Sequence, residues 1–242
     1  RAGAVPLPEP TGEVFYEQYY DPRLDRGSKR QTGSALSHRF GGNTAYKLVT
    51  SDRDVPVEDV SVVGRFADIN HPDFIINCAG LTDVQACEGE TPEEAYKINA
   101  IAPQSGDRCK SIDAKFIQIS TDDVFGGDED KAFCEFDDPH PTTMYGKSKY
   151  AGEKLVRELT DKHVIVRSSW LYGFGSYDFV DRVLDTAAKE GAVHLPEDEI
   201  SSPTSAEALA GFIDCLMHTP RVRPVSRIVR RLRASRARVR PR

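Results

Sequence analysis

The length of 242 residues suits one large domain, and a hydrophobic share of 39% excludes an intrinsically disordered chain. No apolar run approaches the roughly 20 residues that a membrane-spanning helix needs, and the N-terminus lacks the apolar core of a signal peptide. The five cysteines are odd in number and show no CxxC spacing, which favours reduced thiols over disulfides or a zinc site. We therefore expect a cytoplasmic globular protein with no membrane span and no metal.

The charge of the chain is divided unevenly between its C-terminal end and the rest. Residues 221–242 contain ten arginines and no acidic residue, so they carry +10, and the remainder of a chain of net charge −6 carries −16. A body this acidic excludes a specific nucleic-acid-binding domain, although the tail could attract RNA or anionic lipid through unspecific contacts. Two interpretations stay open for residues 219–242: a disordered arginine-rich tail, or a translation of the wrong reading frame.

The segment before residue 27 is rich in proline, tyrosine and charge without a clear period, so we expect residues 1–26 to form an irregular extension. Helical and strand-like patterns alternate after it. In chain order they predict a helix at 32–40, a strand at 46–50, an amphipathic connection at 57–69, a strand at 74–78, a helix from 91 to about 100, a strand at 115–120, a helix at 145–159, a strand at 164–166, and helices at 178–190 and 205–217. The alternation predicts an α/β fold over residues 27–218, with a doubly wound parallel sheet whose ligands bind beyond the carboxyl ends of the strands.

The helix predicted at 145–159 begins with the letters YGKSK. A spacing of four places Tyr145 and Lys149 on one helix face, one turn apart. An isolated phenol titrates at about pH 10, and a neighbouring ammonium favours the phenolate and lowers the phenol pKa towards neutrality. The pair is therefore a candidate for proton delivery, although this spacing alone is also common among plain helix-surface residues.

Hydroxyl and small side chains follow two of the predicted buried strands. Thr121 comes at the end of the strand KFIQIS, where a hydroxyl can bind a substrate carbonyl or simply cap the local backbone. Asn77, Cys78, Ala79 and Gly80 follow the strand letters FII, where small residues either let a flat cofactor approach the backbone or form an ordinary tight turn. Both groups fall where an α/β sheet places its ligands.

Six blocks of sequence carry a resemblance to a known family. They are INCAGLTDVQACE at 76–88, KINAIAP at 97–103, ISTDDVFGG at 119–127, MYGKSKYAGE at 144–153, VRSSWLYG at 166–173 and SPTSAEALA at 202–210. In this order they resemble the extended short-chain dehydrogenase/reductase family, most of all its dTDP-4-dehydrorhamnose reductases, with the regulatory subunit of methionine adenosyltransferase as a related branch. The resemblance runs from residue 27 to about residue 217 and implies a Rossmann-like fold.

The resemblance implies a role for each residue that matches a family motif. Tyr145 would donate a proton, Lys149 would activate it and anchor a ribose, and Thr121 would hydrogen-bond the substrate carbonyl. Cofactor contacts are implied for Gly27, Arg30, Gly33, Asp52, Arg53, Cys78, Ala79, Gly80, Asn99 and Lys149, and substrate contacts for Asp123 and Trp170. The implied reaction moves a hydride from NADPH, or alternatively NADH, to a keto group of a nucleotide-linked sugar. The resemblance also leaves a homodimer open.

The glycine-rich loop departs from the family pattern. The family carries GxxGxxG after its first strand, where backbone amides and a helix N-terminus hold a pyrophosphate. The letters GSKRQTG at 27–33 keep the outer glycines but place Arg30 at the middle one, where a side chain would crowd the diphosphate while its charge partly offsets this. The preceding letters YYDPRLDR contain a proline and four charges where the central strand is expected, so we expect that strand to be missing or damaged.

Two charged positions leave alternatives open. Asp52 and Arg53 follow the strand at 46–50, where an acid would bind the ribose hydroxyls of NAD and an arginine the 2′-phosphate of NADP, or both are exposed loop charges. The resemblance favours NADPH. Asp123 stands where the reductases carry tyrosine, and the acidic pair Asp122–Asp123 is similar to that of sugar-nucleotide 4,6-dehydratases, although the flanking blocks favour the reductases.

Three hypotheses about function result. The first is an NADPH-dependent reductase of a nucleotide-linked 4-keto sugar. The second is a non-catalytic regulatory or scaffold protein of the same fold that binds a nucleotide. The altered glycine loop favours it, as does the arginine-rich end where the family continues with a substrate-binding lobe. The third, ranked below both, is a 4,6-dehydratase-like enzyme.

Overall fold

The computed structural model describes residues 12–17, 31–41, 43–44, 46–51, 59–89, 92–101, 106–126, 133–173, 178–195, 200–219, 225–228 and 234–235. Six strands of this part of the chain form one sheet, namely β1 Gly12–Glu17, β2 Tyr46–Ser51, β3 Phe74–Asn77, β4 Lys115–Thr121, β5 His163–Ser168 and β9 Val225–Ile228. Their order in the sheet is β2–β1–β3–β4–β5–β9, and every neighbouring pair is parallel. Four short strands form two further pairs, namely β6 Leu171–Tyr172 with β8 Thr204–Ser205, and β7 Ile200–Ser201 with β10 Ala234–Ser235.

The order of the strands reverses between β1 and β3. β2 lies on one side of β1, and β3, β4, β5 and β9 follow on the other side. In doubly wound sheets, ligands bind beyond the carboxyl ends of the strands at such a reversal. The predicted α/β fold with a parallel sheet is therefore confirmed, and the end of β3 and the end of β4 lie where a ligand is expected.

The prediction of a missing first strand is wrong. Gly12–Glu17 forms β1 in the middle of the sheet, where Gly12 pairs with Tyr46 of β2 and Val14 with Phe74 of β3. The letters GEVFYE contain a β-branched and two aromatic residues, which favour strands, although the segment around them is rich in proline and charge. The predicted irregular extension at 1–26 is thus corrected at these six positions.

The prediction for the arginine-rich end is also corrected in part. Within residues 219–242, β9 pairs in parallel with β5, and β10 pairs with β7 in antiparallel fashion. The letters VSRI of this strand contain two β-branched residues, Val225 and Ile228, which favour a strand, although arginine dominates the sequence around them. The sheet therefore extends beyond both of the predicted boundaries at 27 and 218.

Eight α-helices of the described part of the chain connect and cover the strands. They are α1 Gln31–Phe40, α2 Val60–Asn70, α3 Val84–Glu88, α4 Pro92–Tyr96, α5 Gly106–Ile112, α6 Met144–Leu159, α7 Phe179–Glu190 and α8 Ala206–His218. α4 continues into one π-helical turn at Lys97–Ile101, and Asp122–Val124 forms a 3₁₀ turn after β4. The helices predicted from sequence are confirmed within a few residues. None of these helices is long and apolar enough to cross a bilayer.

Two apolar layers hold the helices against the sheet. Successive residues of a strand point to opposite faces, so neighbouring positions enter different layers. Ile76, Ile117 and Val166 pack against α1 and α8 on one face, whereas Ile75, Phe116 and Ile165 pack against α2, α5 and α6 on the other. Because both faces of the sheet are buried, the sequences of its strands are continuous apolar runs. The packing of α6 against one face places this helix beside the end of β4.

Candidate active site at the carboxyl ends of β3 and β4

Tyr145 and Thr121 meet at the end of β4. Thr121 is the last residue of β4 and Tyr145 lies in the first turn of α6, and the Thr121 hydroxyl is close enough to the phenol to lower its pKa. Both side chains are buried, Thr121 at 6% and Tyr145 at 9% exposure. The structure therefore brings together the phenol and the hydroxyl that the sequence places on two different elements.

The start of α6 is held tightly against the turn that follows Thr121. Thr143 caps the helix, since its side chain accepts a hydrogen bond from the Gly146 amide at 3.0 Å, and Glu88 accepts one from the Met144 amide. A Cβ atom at Gly146 would lie 2.3 Å from the carbonyl oxygen of Asp123. Only glycine permits this approach, which sets the distance between Tyr145 and β4.

Lys149 is buried one helical turn after Tyr145. Its Nζ donates a hydrogen bond of 2.7 Å to the carbonyl oxygen of Ile119, which also accepts one from Gln118 Nε2 at 2.9 Å. Burial lowers the pKa of Lys149 from 10.5 to about 8, against the opposing influence of Cys78 and Glu153. An ammonium has three N–H donors, so the bond to Ile119 leaves Lys149 able to bind further oxygens such as ribose hydroxyls.

The pKa of Tyr145 is shifted upward, whereas the sequence predicts a downward shift. Burial raises the pKa of Tyr145, the negative charge of Asp123 raises it further, and the nearby Thr121 hydroxyl acts in the opposite direction. The expectation that Lys149 brings the phenol pKa towards neutrality is therefore wrong, because burial and the charge of Asp123 are the largest influences and both raise this pKa. Tyr145 is a protonated phenol at neutral pH, which is the form that can donate a proton.

Asn99 organises the loop after β3 from within the π-helical turn. Its Oδ1 accepts from the Leu81 amide at 2.9 Å, and its Nδ2 donates to the Leu81 carbonyl at 3.0 Å and to Ser148 Oγ at 2.9 Å. A Cβ atom at Gly80 would lie 3.1 Å from Asn99 Oδ1 and 3.4 Å from Lys149 Nζ. The backbone at Gly80 thus passes closely over the ammonium, and π-helical turns are frequent at functional sites. This arrangement fits the nicotinamide and ribose end of a dinucleotide.

The remaining predicted site residues fall into two groups. Cys78, Ala79 and Gly80 directly follow β3, Asp123 is an exposed residue of the 3₁₀ turn, and the ring of Trp170 packs 5.1 Å from the ring of Phe179. Gly33 is buried within α1, a different element from those that carry Tyr145 and Thr121. Gly27, Arg30, Asp52 and Arg53 lie outside the described residues.

Sequence reasoning missed Gln118, Ser148 and Glu153, three polar residues beneath the site. Asn77 Nδ2 donates to Gln118 Oε1 at 2.9 Å, which links the ends of β3 and β4. Ser148 Oγ donates to the Tyr145 carbonyl at 2.8 Å, and Glu153 is fully buried four residues after Lys149. The four-residue spacing in the letters KYAGE was the one signal that could have identified Glu153, since it places this carboxylate on the face of Lys149.

The parallel sheet with its strand reversal, together with the Tyr145–Lys149 pair facing Thr121, defines an extended short-chain dehydrogenase/reductase. More narrowly, residues 24–228 match the family described as the RmlD substrate binding domain, and the chain belongs to this family.

Relatives of known name agree with this assignment. The chain is 38% identical over 176 residues to dTDP-4-dehydrorhamnose reductase of Mycolicibacterium smegmatis, which covers 71% of this chain and 52% of the relative. It is 36% identical over 201 residues to the enzyme of that name from Streptomyces griseus, covering 82% and 66%. A crystal structure of dTDP-4-dehydrorhamnose reductase from Bacillus anthracis in complex with NADP superimposes with a TM-score of 0.82 at 31% identity, covering 93% of this chain and 77% of the other. The chain thus spans between half and two thirds of these two curated relatives.

Proposed function

We propose that this chain is an NADPH-dependent reductase that converts a 4-keto group of a dTDP-linked sugar to an alcohol. The observation that carries the proposal is the placement of the buried side chains of Tyr145 and Thr121 next to each other at the end of β4, with Lys149 buried one turn further along α6. The relatives named dTDP-4-dehydrorhamnose reductase support the substrate, and the structure of the Bacillus anthracis relative in complex with NADP supports the cofactor.

Bound NADPH would supply a hydride to the carbonyl carbon of the substrate. Tyr145 donates its phenolic proton to the carbonyl oxygen, so hydride and proton together convert the ketone to the alcohol. Thr121 hydrogen-bonds the same oxygen and orients it towards Tyr145. The positive charge of Lys149 stabilises the phenolate that Tyr145 becomes, before water returns the proton. The raised pKa of Tyr145 suits this role because the phenol must be protonated when the ketone binds.

The other predicted contacts belong to the same proposal. The Cys78–Gly80 backbone and Asn99 border the nicotinamide and ribose, with Lys149 Nζ directed at the ribose hydroxyls. Asp123 and Trp170 lie on the substrate side. Gly27, Arg30, Gly33, Asp52 and Arg53 remain the predicted contacts for the diphosphate and adenosine. A cytoplasmic location and a homodimer complete the proposal, and light scattering of the purified protein measures the assembly.

Isotope transfer tests the reaction. Purified protein is mixed with dTDP-4-dehydrorhamnose and NADPH that carries deuterium at nicotinamide C4, and the sugar product is analysed by mass spectrometry and NMR. We expect one deuterium at sugar C4 and an equal loss of nicotinamide absorbance. Folded protein that binds NADPH without transferring deuterium would contradict the reductase and leave the regulatory hypothesis. Conversion of dTDP-glucose to a keto sugar would identify a dehydratase instead.

A further inference from the structure

Glu153 is a fully buried carboxylate with four hydrogen-bond donors around it. Its Oε1 accepts from Ser120 Oγ at 2.7 Å and from Arg167 Nε at 2.8 Å. Its Oε2 accepts from Arg167 Nη2 at 2.6 Å and from Arg157 Nη2 at 3.3 Å. Arg167 is 2% exposed, so Glu153 and Arg167 form a bidentate ion pair that water does not reach.

The ion pair joins the two elements that carry the candidate site residues. Glu153 lies on α6, one turn after Lys149, while Ser120 is the neighbour of Thr121 on β4. The Ile119 carbonyl on the other side of Ser120 accepts the hydrogen bond of Lys149. The Glu153 carboxylate therefore binds Ser120, which lies on β4 between Thr121 and Ile119, the acceptor of the Lys149 hydrogen bond.

Arg167 extends the same connection to the turn after β4. Its guanidinium lies over the ring of Phe125 at 5.0 Å from the ring centroid, and Phe125 directly follows the 3₁₀ turn that begins after Thr121. Phe125 in turn stacks on Phe133 at 4.5 Å. Glu153 is thus held by Ser120 of β4 and by Arg167 of β5, and Arg167 also contacts Phe125 at the end of the 3₁₀ turn.

A buried ion pair of this kind is a weak source of stability, since apolar residues of the same volume usually stabilise a fold as well or better. The burial of a charged carboxylate at Glu153 therefore needs an explanation other than stability. Lys149 is itself a buried cation, and the buried Glu153 lies four residues further along α6, on the same helix face. Cys78 and Glu153 both raise the pKa of Lys149, and Glu153 is the carboxylate of the two. Arg157, at 36% side-chain exposure, can be solvated on its own, whereas Lys149 cannot.

We propose that Glu153, fixed by Arg167 and Ser120, is a positioning residue that supplies the buried counter-charge of the Lys149 ammonium and keeps it directed at the cofactor ribose. The ribose as ligand rests on the proposed reductase function. Glu153 touches neither substrate nor cofactor and acts through Lys149.

The test combines one measurement without ligand and one with NADPH. In the first, Glu153→Gln is made alone and in the Lys149→Met background, and urea unfolding is followed at pH 7. We expect Glu153→Gln to cost clearly more in the presence of the lysine than in the Lys149→Met background. Equal costs in the two backgrounds would overturn the proposal, whether or not the chain binds a nucleotide.

In the second measurement, NADPH affinity is titrated against pH by fluorescence. Affinity of the unaltered protein should fall as Lys149 loses its proton, and Glu153→Gln should move this midpoint downward by about one pH unit. Because Glu153→Gln leaves Arg167 without its partner, the double variant Glu153→Gln/Arg167→Gln is measured beside it; this variant loses a positive charge together with the negative one, so its midpoint should move downward by less than that of Glu153→Gln. Arg157→Gln is the matched control and should leave the midpoint unchanged. An unchanged midpoint in a Glu153→Gln variant that unfolds cooperatively would refute the role of Glu153, whereas absence of NADPH binding by the unaltered protein would refute the proposed function alone.

Discussion

Lys149→Met should remove activity and at the same time stabilise the fold. Burial lowers the pKa of Lys149 from 10.5 to about 8, which corresponds to a penalty of about 3 kcal/mol for holding the charged lysine in the folded protein. Methionine has nearly the same length and carries no charge. The Ile119 carbonyl stays hydrogen-bonded after the substitution because Gln118 Nε2 still donates to it. We therefore expect the variant to be more stable at pH 7 by up to about 3 kcal/mol.

The pH dependence of this gain identifies its origin. Below about pH 8 the lysine is charged in both the folded and the unfolded chain, so the whole penalty acts. As the pH rises from about 8 to 10.5, the folded protein loses the proton first and the penalty disappears. Urea unfolding of the unaltered protein and of Lys149→Met at pH 7 and pH 10 should show that most of the difference, about 2–3 kcal/mol, is lost at the higher pH.

A matched control separates this effect from general surface charge. Lys147 lies on the same helix and is exposed, so Lys147→Met should change stability little and equally at both pH values. A Lys149→Met variant whose stability difference is the same at pH 7 and pH 10 would show that the lysine is not a buried cation, and the reasoning would be wrong.

Three further substitutions test the geometry around the site. Gly146→Ala places a Cβ against the Asp123 carbonyl and should cost about 1–3 kcal/mol in unfolding and lower kcat, whereas Gly211→Ala, with 3.5 Å to its nearest neighbour, should be tolerated. Thr121→Val should lower kcat/KM by about 10–100-fold through loss of one hydrogen bond to the substrate, and Thr121→Ser should retain most of the kcat/KM of the unaltered protein. Equal kcat/KM values of the two variants would exclude a role of the hydroxyl in the reaction. Asp178→Ala removes the capping box of α7 and should lower stability by about 1 kcal/mol, and an unchanged unfolding midpoint would contradict the cap.

Much of the fold could be predicted because its signals are local. Continuous apolar runs such as FIIN and KFIQIS predict buried parallel strands, and the four-residue spacing of Tyr145 and Lys149 predicts their shared helix face. β1 was missed because its six residues lie in a segment whose average composition is that of a loop. β9 was missed because arginine dominates its surroundings, although strand pairing uses the backbone.

The interior of the site could not be predicted to the same extent. The contact of Glu153 with Arg167 joins α6 to β5, and no local pattern reports which faces of separate elements meet. The pKa of Tyr145 depends on how deeply its phenol is buried, whereas spacing reveals only that Lys149 is near. The six blocks predict the candidate residues of the site, and the structure adds their burial and the charges around them.

The role of Tyr145 is tested most directly by Tyr145→Phe, which removes the phenolic proton and keeps the ring. The measurement compares single-turnover oxidation of NADPH by dTDP-4-dehydrorhamnose in the variant and in the unaltered protein, with NADPH affinity determined beside it. We predict unchanged affinity and a rate lower by at least about 100-fold. Oxidation at the rate of the unaltered protein would contradict the account, because a proton source other than Tyr145 would then serve the ketone oxygen.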